Sequence, residues 1–374
     1  VVFLISGNDK ISNFQFGCLY FLTTVGVSII TLPSILAKEA GNDAWILCIL
    51  SGLINVIFIY FMTRVVKKYG DMGFVGTLRF LFGDIIGSIL IIPCILFFIF
   101  VVSLELRLFG EITKLYLLNR TPIEYIIIPM LLLGAYLARS GIEQIARFYE
   151  VTIYLIGILY ILCILIGLPH SNFSNLRPFF ITPISAYLKG MFSAIFPYLG
   201  YEILLVVSPN IRKKEKIFKT TAITLLIIIA LYTSFVILSI VRLGVEDTKF
   251  QLYPVMSVIK ATDVPGAFIE RVAGILMISW IFAAYTSVVS YIYFYSVTFA
   301  DVLNQRRKNH AISLIIPVIY IISLQGQSIL DVFKIINSIS MYLGIYTIII
   351  LPLLMFIMSL IKKDKGKKES KVSH

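Results

Sequence analysis

Thr24-Val25-Gly26-Val27-Ser28, continuing to Leu32-Pro33, and Phe196-Pro197-Tyr198-Leu199-Gly200-Tyr201-Glu202, continuing to Pro209, are the two stretches that decide how this chain folds. Each sets turn residues near the middle of a hydrophobic run. A bilayer offers no water to free peptide groups, so a helix interrupted there persists only if protein surrounds the break or the break lines a cavity. Two such interruptions at corresponding places in two halves mark a transporter-like binding site.

The runs around these stretches read as membrane spans. The chain is 59% hydrophobic and 14% charged, with a mean hydropathy of +0.95, whereas a soluble domain is about 25% charged. Ten runs stand out: 14–37, 44–63, 85–109, 122–138, 148–168, 184–208, 218–241, 268–300, 311–325 and 338–361. Most are long enough to cross about 30 Å of hydrocarbon. They predict an all-α integral membrane protein with ten transmembrane helices and broken helices 1 and 6. Residues 1–374 form one membrane domain, with half one at about 14–168, half two at about 184–361 and a basic tail at 362–374. Five spans per half invert one half relative to the other. The repeat is a pattern of breaks, without residue-level identity. Residues 64–84 predict an amphipathic helix along the inner interface, and Tyr253-Pro254-Val255-Met256 a short helix over the outer mouth. Pro93, Pro129, Pro317 and Pro352 read as kinks.

The net charge of +12 is a topology signal, with no nucleic-acid partner implied. With the N-terminus inside, 21 of the 32 Lys and Arg fall in inner segments and 11 in outer ones. That bias predicts cytoplasmic N- and C-termini. The chain opens on Val1 without a cleavable signal, so an upstream start is expected. Cys18, Cys48, Cys94 and Cys163 all fall in spans and read as packing residues. His170, His310 and His374 are scattered, and P-loop, GxSxG and HExxH patterns are absent from the sequence. The expectation is a non-enzyme without cofactor or metal.

Chemistry concentrates at the breaks. The half-helix starting near Ser28 and the one starting near Tyr201 present amide ends that favour an anion. The halves ending near Thr24 and Phe196 present carbonyls that suit an ammonium group or a cation. Thr24, Val25, Gly26, Val27 and Ser28, with Phe196, Pro197, Tyr198, Leu199, Gly200 and Glu202, are therefore the candidate ligand-binding residues for a small zwitterion. Val25, Val27 and Leu199 point to a small or apolar side chain. Glu202, an acid inside a span, is a functional-site candidate by default. Two roles stay open for it: steadying the break, and holding a proton or facing a basic group. Glu105 either lines the outer vestibule or is a simple interfacial charge. Ser287 and Ser290 share one helix face, with Tyr291 beside them; they either complete a cation site near Val25 or serve as glue between helices. Glu105, Glu202, Ser287, Ser290 and Tyr291 make up the candidate cation or coupling set. Ser140-Gly141-Ile142-Glu143 fits a capping box at the start of span 5, followed by Glu143, Arg147 and Glu150 on one face.

Thr31-Leu32-Pro33-Ser34 with Ala40-Gly41-Asn42-Asp43-Ala44-Trp45, Ser140-Gly141-Ile142-Glu143-Gln144-Ile145-Ala146-Arg147-Phe148-Tyr149-Glu150, and Phe196 to Glu202 ending at Ser208-Pro209-Asn210 carry a resemblance. Together they resemble the B subunits of spore germinant receptors, the spore germination permeases. The resemblance implies the amino acid/polyamine/organocation superfamily and a LeuT-like 5+5 inverted repeat. It implies germinant receptor A and C subunits as partners in the spore inner membrane, and a small germinant, such as an amino acid, held between helices 1 and 6. Gly26, Pro197, Gly200 and Glu202 match the family's break positions. The alternative is a proton- or sodium-coupled amino acid transporter, and a third class is a purely structural scaffold.

Overall fold

The computed structural model describes residues 9–26, 28–169, 171–260, 268–305, 308–325, 338 and 340–362. Val27 and the basic tail beyond Lys362 lie outside the described residues. The regular structure among those described is helical, apart from one isolated parallel bridge between Ile11 and Ile211.

The first run divides into α1 (Asn13–Val25) and α2 (Ser28–Ala40). The Ser12 hydroxyl accepts from the Gln15 amide at 3.1 Å and the Gln15 side chain accepts from the Ser12 amide at 2.9 Å, a capping box that fixes where α1 begins. Pro33 sits inside α2, so the break falls between the end of α1 at Val25 and the start of α2 at Ser28 rather than at the proline. The chain continues as α3 (Ala44–Tyr69), α4 (Gly73–Phe82), α5 (Asp84–Leu90), α6 (Ile92–Tyr116), α7 (Ile123–Arg139) and α8 (Ile142–Gly167). The amphipathic helix expected within 64–84 is α4, which buries Phe74, Val75, Leu78 and Leu81. Pro93 stands at the start of α6, where the third run is interrupted at Ile91.

The second half holds α9 (Ile184–Ser193), a 3₁₀ turn at Phe196–Tyr198, α10 (Ile203–Val207), α11 (Ile217–Leu243), α12 (Val245–Phe250), α13 (Pro254–Lys260), α14 (Phe268–Val302) and α15 (Lys308–Ser323). Two π-helical turns, Ser340–Gly344 and Tyr346–Ile350, lead into α16 (Leu351–Ile361). Among the described residues, six helical segments are long and apolar enough to cross a membrane, or seven when the bent pair Ile184–Met191 and Phe196–Asn210 counts as one span. The protein is an all-α, multi-pass membrane protein.

Helix α14 runs through the centre, packed on α1, α6, α7, α8 and α15. Its Ala283, Ala284, Ser287 and Ser290 are small enough to bring α1 close. Large apolar residues face outward instead: Ile85 and Tyr136 are each 78% exposed. This reverses the soluble pattern and suits a hydrocarbon solvent.

One expectation fails at the start of α8. Ser140 does not cap that helix; its hydroxyl donates back to the Leu137 carbonyl at 2.6 Å. Gly141, at φ 100°, turns the chain so that the Ser140 side chain closes the end of α7 instead. Glu143 and Arg147 do pair at 2.6 Å, while Glu150 accepts from Gln15 at 3.0 Å rather than from Arg147.

Loops close both ends. At the basic end, the Ile11 amide donates to Asn210 O at 2.8 Å, the Arg212 amide donates to Ile11 O at 3.1 Å, and Lys10 Nζ donates to Pro209 O at 2.7 Å. At the opposite end, buried Asp43 accepts from the Phe180 and Thr182 amides at 2.7 and 3.0 Å. Asn42 adds bonds to Asn175 O and Arg177 O at 2.9 and 2.8 Å. Asp43→Ala strands two amides and should cost about 1–3 kcal/mol. Asp43→Asn, which keeps one acceptor, should cost less, and thermal unfolding of the detergent-purified chain reads both.

Candidate functional site

The two breaks meet face to face. Helix α1 ends at Val25, and Gly26 (φ −40°, ψ −97°) departs from helical geometry. The second break is wider: α9 ends at Ser193, the chain makes its 3₁₀ turn, and α10 resumes at Ile203. Gly200 lies at φ +122°, a region open to glycine and strained for residues with a Cβ. A Cβ there would lie 2.4 Å from Thr24 Oγ1 and 3.3 Å from the Thr24 amide nitrogen. Gly26 is pressed in the same way on α14, where a Cβ would lie 2.9 Å from Ser287 Cβ. Glycine is thus required at both breaks by contact, and at Gly200 also by backbone conformation.

Each break must find partners for its freed peptide groups. Glu202 folds back so that Oε2 accepts from the Gly200 amide at 2.7 Å, and Oε1 accepts from the Tyr291 hydroxyl at 3.1 Å. The Gly200 amide at the second break is therefore bonded by the protein's own carboxylate, the arrangement of a residue that steadies the break. Tyr232 on α11 reaches both breaks, with its hydroxyl 2.9 Å from Thr24 O and 3.1 Å from Pro197 O. One phenolic proton serves two carbonyls, which ties α1 to the second break. Sequence reading missed Tyr232, because a tyrosine inside an apolar run carries no local signal.

Helix α14 supplies the remaining donors. Ser287 Oγ lies 2.8 Å from Thr23 O and 2.8 Å from Glu105 Oε1. Thr286 Oγ1 lies 3.2 Å from Leu22 O and 2.8 Å from Ala283 O. Ser290 Oγ lies 2.7 Å from Thr23 Oγ1 and 2.8 Å from the Tyr149 hydroxyl. Glu105 is therefore not an interfacial charge: its carboxylate turns inward to the first break, and Oε2 is buried without a hydrogen-bond partner among the described residues. Arg107 turns to Glu111 at 2.9 Å instead.

Tyr198 and Tyr201 point away from the gap between the breaks. The Tyr198 hydroxyl donates to Cys48 O at 2.7 Å, and the Tyr201 hydroxyl to Asn55 Oδ1 at 3.0 Å, so α3 holds both flanks of the turn. Tyr20 packs edge-on to Tyr201, with ring centroids 6.2 Å apart, and its buried hydroxyl has no partner among the described residues. Thr24, Val25, Gly26, Pro197, Tyr198, Leu199, Gly200 and Glu202 are buried; Ser28 and Phe196 are partly exposed. Of the candidate coupling residues, Glu105 and Ser287 meet at the first break, Glu202 and Tyr291 meet at the second, and Ser290 joins the Thr23 side.

A family model described as spore germination protein matches residues 10–332. The chain belongs to the spore germination permease family. Spore germination protein A2 of Bacillus subtilis (strain 168) is 31% identical over 288 residues, covering 76% of this chain and 78% of that protein. Spore germination protein YndE of the same organism is 25% identical over 366 residues, covering 98% and 100%. Spore germination protein GerLB of Bacillus cereus is 24% identical over 378 residues, covering 97% and 98%. Among solved structures, the crystal structure of MhsT in complex with L-phenylalanine matches with a TM-score of 0.71 at 14% identity, covering 94% of this chain and 98% of that one. That likeness shows the fold, which is LeuT-like. As a spore germination permease, the protein has a membrane germinant-sensing or permease role.

Gly200→Ala should cost about 1–3 kcal/mol through overpacking and a similar amount through backbone strain. Thr24→Ala in the same chain should recover the first part only, since it removes Oγ1 and leaves the φ constraint. Tyr232→Phe strands two carbonyls and should cost about 1–3 kcal/mol. Thermal unfolding of the single and double variants tests the packing and the tether.

Proposed function

We propose that this chain is the germinant-binding membrane subunit of a spore germinant receptor, and that it holds a small amino acid between its two breaks. One observation carries the reading: hydrogen-bond acceptors outnumber donors where α1 ends. Ser287 has one proton for Thr23 O and Glu105 Oε1, Tyr232 has one for Thr24 O and Pro197 O, and Glu105 Oε2 has no partner among the described residues. Such a cluster favours an incoming ammonium, which brings three donors and a positive charge. An α-amino group supplies both.

The ligand carboxylate then belongs at the start of α2, where the first-turn amides from Ser28 onward have no intrahelical acceptor and the helix dipole favours an anion. The second break is closed to it, because Glu202 already occupies the Gly200 amide. The walls nearest the gap, Val25 and Leu199, are apolar and suit an apolar side chain. That a protein of this fold, MhsT, was solved with L-phenylalanine supports the same ligand class. In this reading the subunit sits in the spore inner membrane with both termini cytoplasmic, as the charge bias favours, and passes its bound state to A and C partner subunits. A ligand drives that step only by binding one conformation better than the other.

The acceptor cluster also fits a proton or a sodium ion, so coupled amino acid transport is the second reading. Uptake into proteoliposomes separates the two: accumulation that depends on an imposed proton or sodium gradient supports transport, and saturable binding without accumulation supports sensing.

Apolar L-amino acids should raise the unfolding temperature of the purified chain in a saturable way, by mass action on the folded state. Their N-acetyl derivatives, which lack the ammonium, should not. Glu105→Gln should weaken amino acid binding by about ten- to a hundredfold, the range for a lost charge-assisted hydrogen bond. Equal binding of the N-acetyl derivatives would overturn the assignment.

A further inference from the structure

Where α3 ends and α11 begins, the basic end of the bundle carries a cavity of about 250 Å³ lined by Tyr60, Arg64, Lys67, Lys214, Phe218 and Lys219. We propose that this cavity binds the phosphate headgroup of an anionic phospholipid and holds α3 and α11 together from the membrane surface.

Charge is the first argument. Four cations line the cavity against one acid, Glu215. Lys214 is ion-paired, to Asp71 in the turn after α3. Arg64 lies over the Tyr60 ring, 4.9 Å from its centroid, which holds the guanidinium in place without neutralising it. Among the described residues, Arg64, Lys67 and Lys219 meet no carboxylate within ion-pairing distance. Like charges gathered without counter-ions repel one another, and a phosphate placed among them relieves that repulsion.

The second argument is the apolar wall, which selects a lipid over a free anion. Tyr60 packs against Phe61, Phe218 and Phe356 at centroid distances of 6.0, 6.0 and 6.3 Å, and Phe61 stacks on Phe356 at 4.9 Å. This aromatic cluster joins α3, α11 and α16. Tyr60 and Phe218 remain 38% and 39% exposed, the usual state of aromatic rings at headgroup depth. Deeper along the same helices, Ile57 of α3 and Ile223 and Ile227 of α11 are exposed, offering an acyl chain apolar surface. Basic pockets between spans on the cytoplasmic side are general sites for acidic headgroups.

The place gives the site its consequence. Helix α3 anchors Tyr198 and Tyr201, and α11 carries Tyr232, so the two helices bridged by the headgroup are the two that hold the second break.

The test is thermal unfolding of the purified full-length chain in detergent, titrated with phosphatidylglycerol, phosphatidylcholine or sn-glycerol 3-phosphate. Phosphatidylglycerol alone should raise the unfolding temperature. In Arg64→Gln/Lys67→Gln, the lipid concentration for half the shift should rise about thirtyfold, from about fivefold for each of the two cations near the surface. The substituted side chains are exposed, so the variant keeps its fold, and a matched Lys213→Gln/Lys216→Gln pair on the same end should leave the shift unchanged. Equal loss in the two pairs would mean diffuse surface attraction and would overturn the site. A shift of the same size with phosphatidylcholine, or with glycerol 3-phosphate, would overturn the lipid assignment, as would the absence of any phosphatidylglycerol effect.

Discussion

A peptide group freed inside an apolar bundle must find a partner or the helix will re-form, and the rest of this structure is arranged around that demand. At the first break, the Thr23 and Thr24 carbonyls are met by Ser287 and Tyr232. At the second, the Gly200 amide is met by Glu202 and the Pro197 carbonyl by Tyr232. None of these partners comes from α1 itself; they come from α11, from α14 and from the second break. The interruption of α1 is thus stable only in the assembled bundle, and the bundle's centre is organised by the interruption. A uniform helix would satisfy its own backbone but would leave Tyr232, Ser287 and Glu105 buried without the carbonyls and turns they now serve.

Glu202 shows how one residue settles the polarity of the site. A carboxylate just past a helix break can either wait for a cation or close the break by taking its amide. The backbone at Gly200, at φ +122°, turns that amide toward Oε2, and Tyr291 takes the other oxygen. In the proposed role, the amide end left to a ligand's anion is that of α2. Glu105 is the opposite case: one oxygen shares a proton at Ser287 and the other has no partner among the described residues. Both acids lie inside hydrophobic runs, and they differ in what the fold places beside them. In the proposed role, the acceptors at the end of α1 take the ammonium of a zwitterion and the amides at the start of α2 take its carboxylate.

The spans, the two breaks and the glycines that make them were legible in the sequence, because glycine, proline and charge inside a hydrophobic run are local signals. The boundaries of α3, α7, α8 and α11 fall within several residues of the expected runs, and the surface helix within 64–84 is α4. What the sequence hid is relational. Tyr232 lies in a run of apolar residues, and only the approach of α11 to both breaks gives its hydroxyl a purpose. The inward turn of Glu105 was obscured by Arg107 two residues on, which instead turns to Glu111 one turn further along. Ser140 failed as a cap because Gly141 at φ 100° redirects it, a backbone fact that a capping-box pattern cannot contain. The box that does form, Ser12 with Gln15, was readable by the same rule.

The two halves of the first span are held by opposite ends of the molecule. Helix α1 is preceded by Ile11, whose backbone bonds to Asn210 and Arg212 close the basic end. Helix α2 carries the other closure, through Ser34 to Lys249 O at 3.2 Å and through the Ala40 carbonyl, which accepts from Thr182 Oγ1 at 2.9 Å. Between them lies Gly26, which has no side chain and fits against Ser287 for that reason. In the proposed role, a ligand with its ammonium at the end of α1 and its carboxylate at the start of α2 spans that joint, so its binding energy acts on the angle between the two halves. Each half reports that angle to its own closure. Sensing requires only that the angle differ between bound and free states, since a shift in population is itself the signal. Transport requires that the two closures also open in turn, which at the basic end means breaking the Ile11 ladder and the Lys10 contact while the ligand remains on the joint. The same break can serve either function, and in the proposed role the opening of those few bonds at the basic end is the step that separates them.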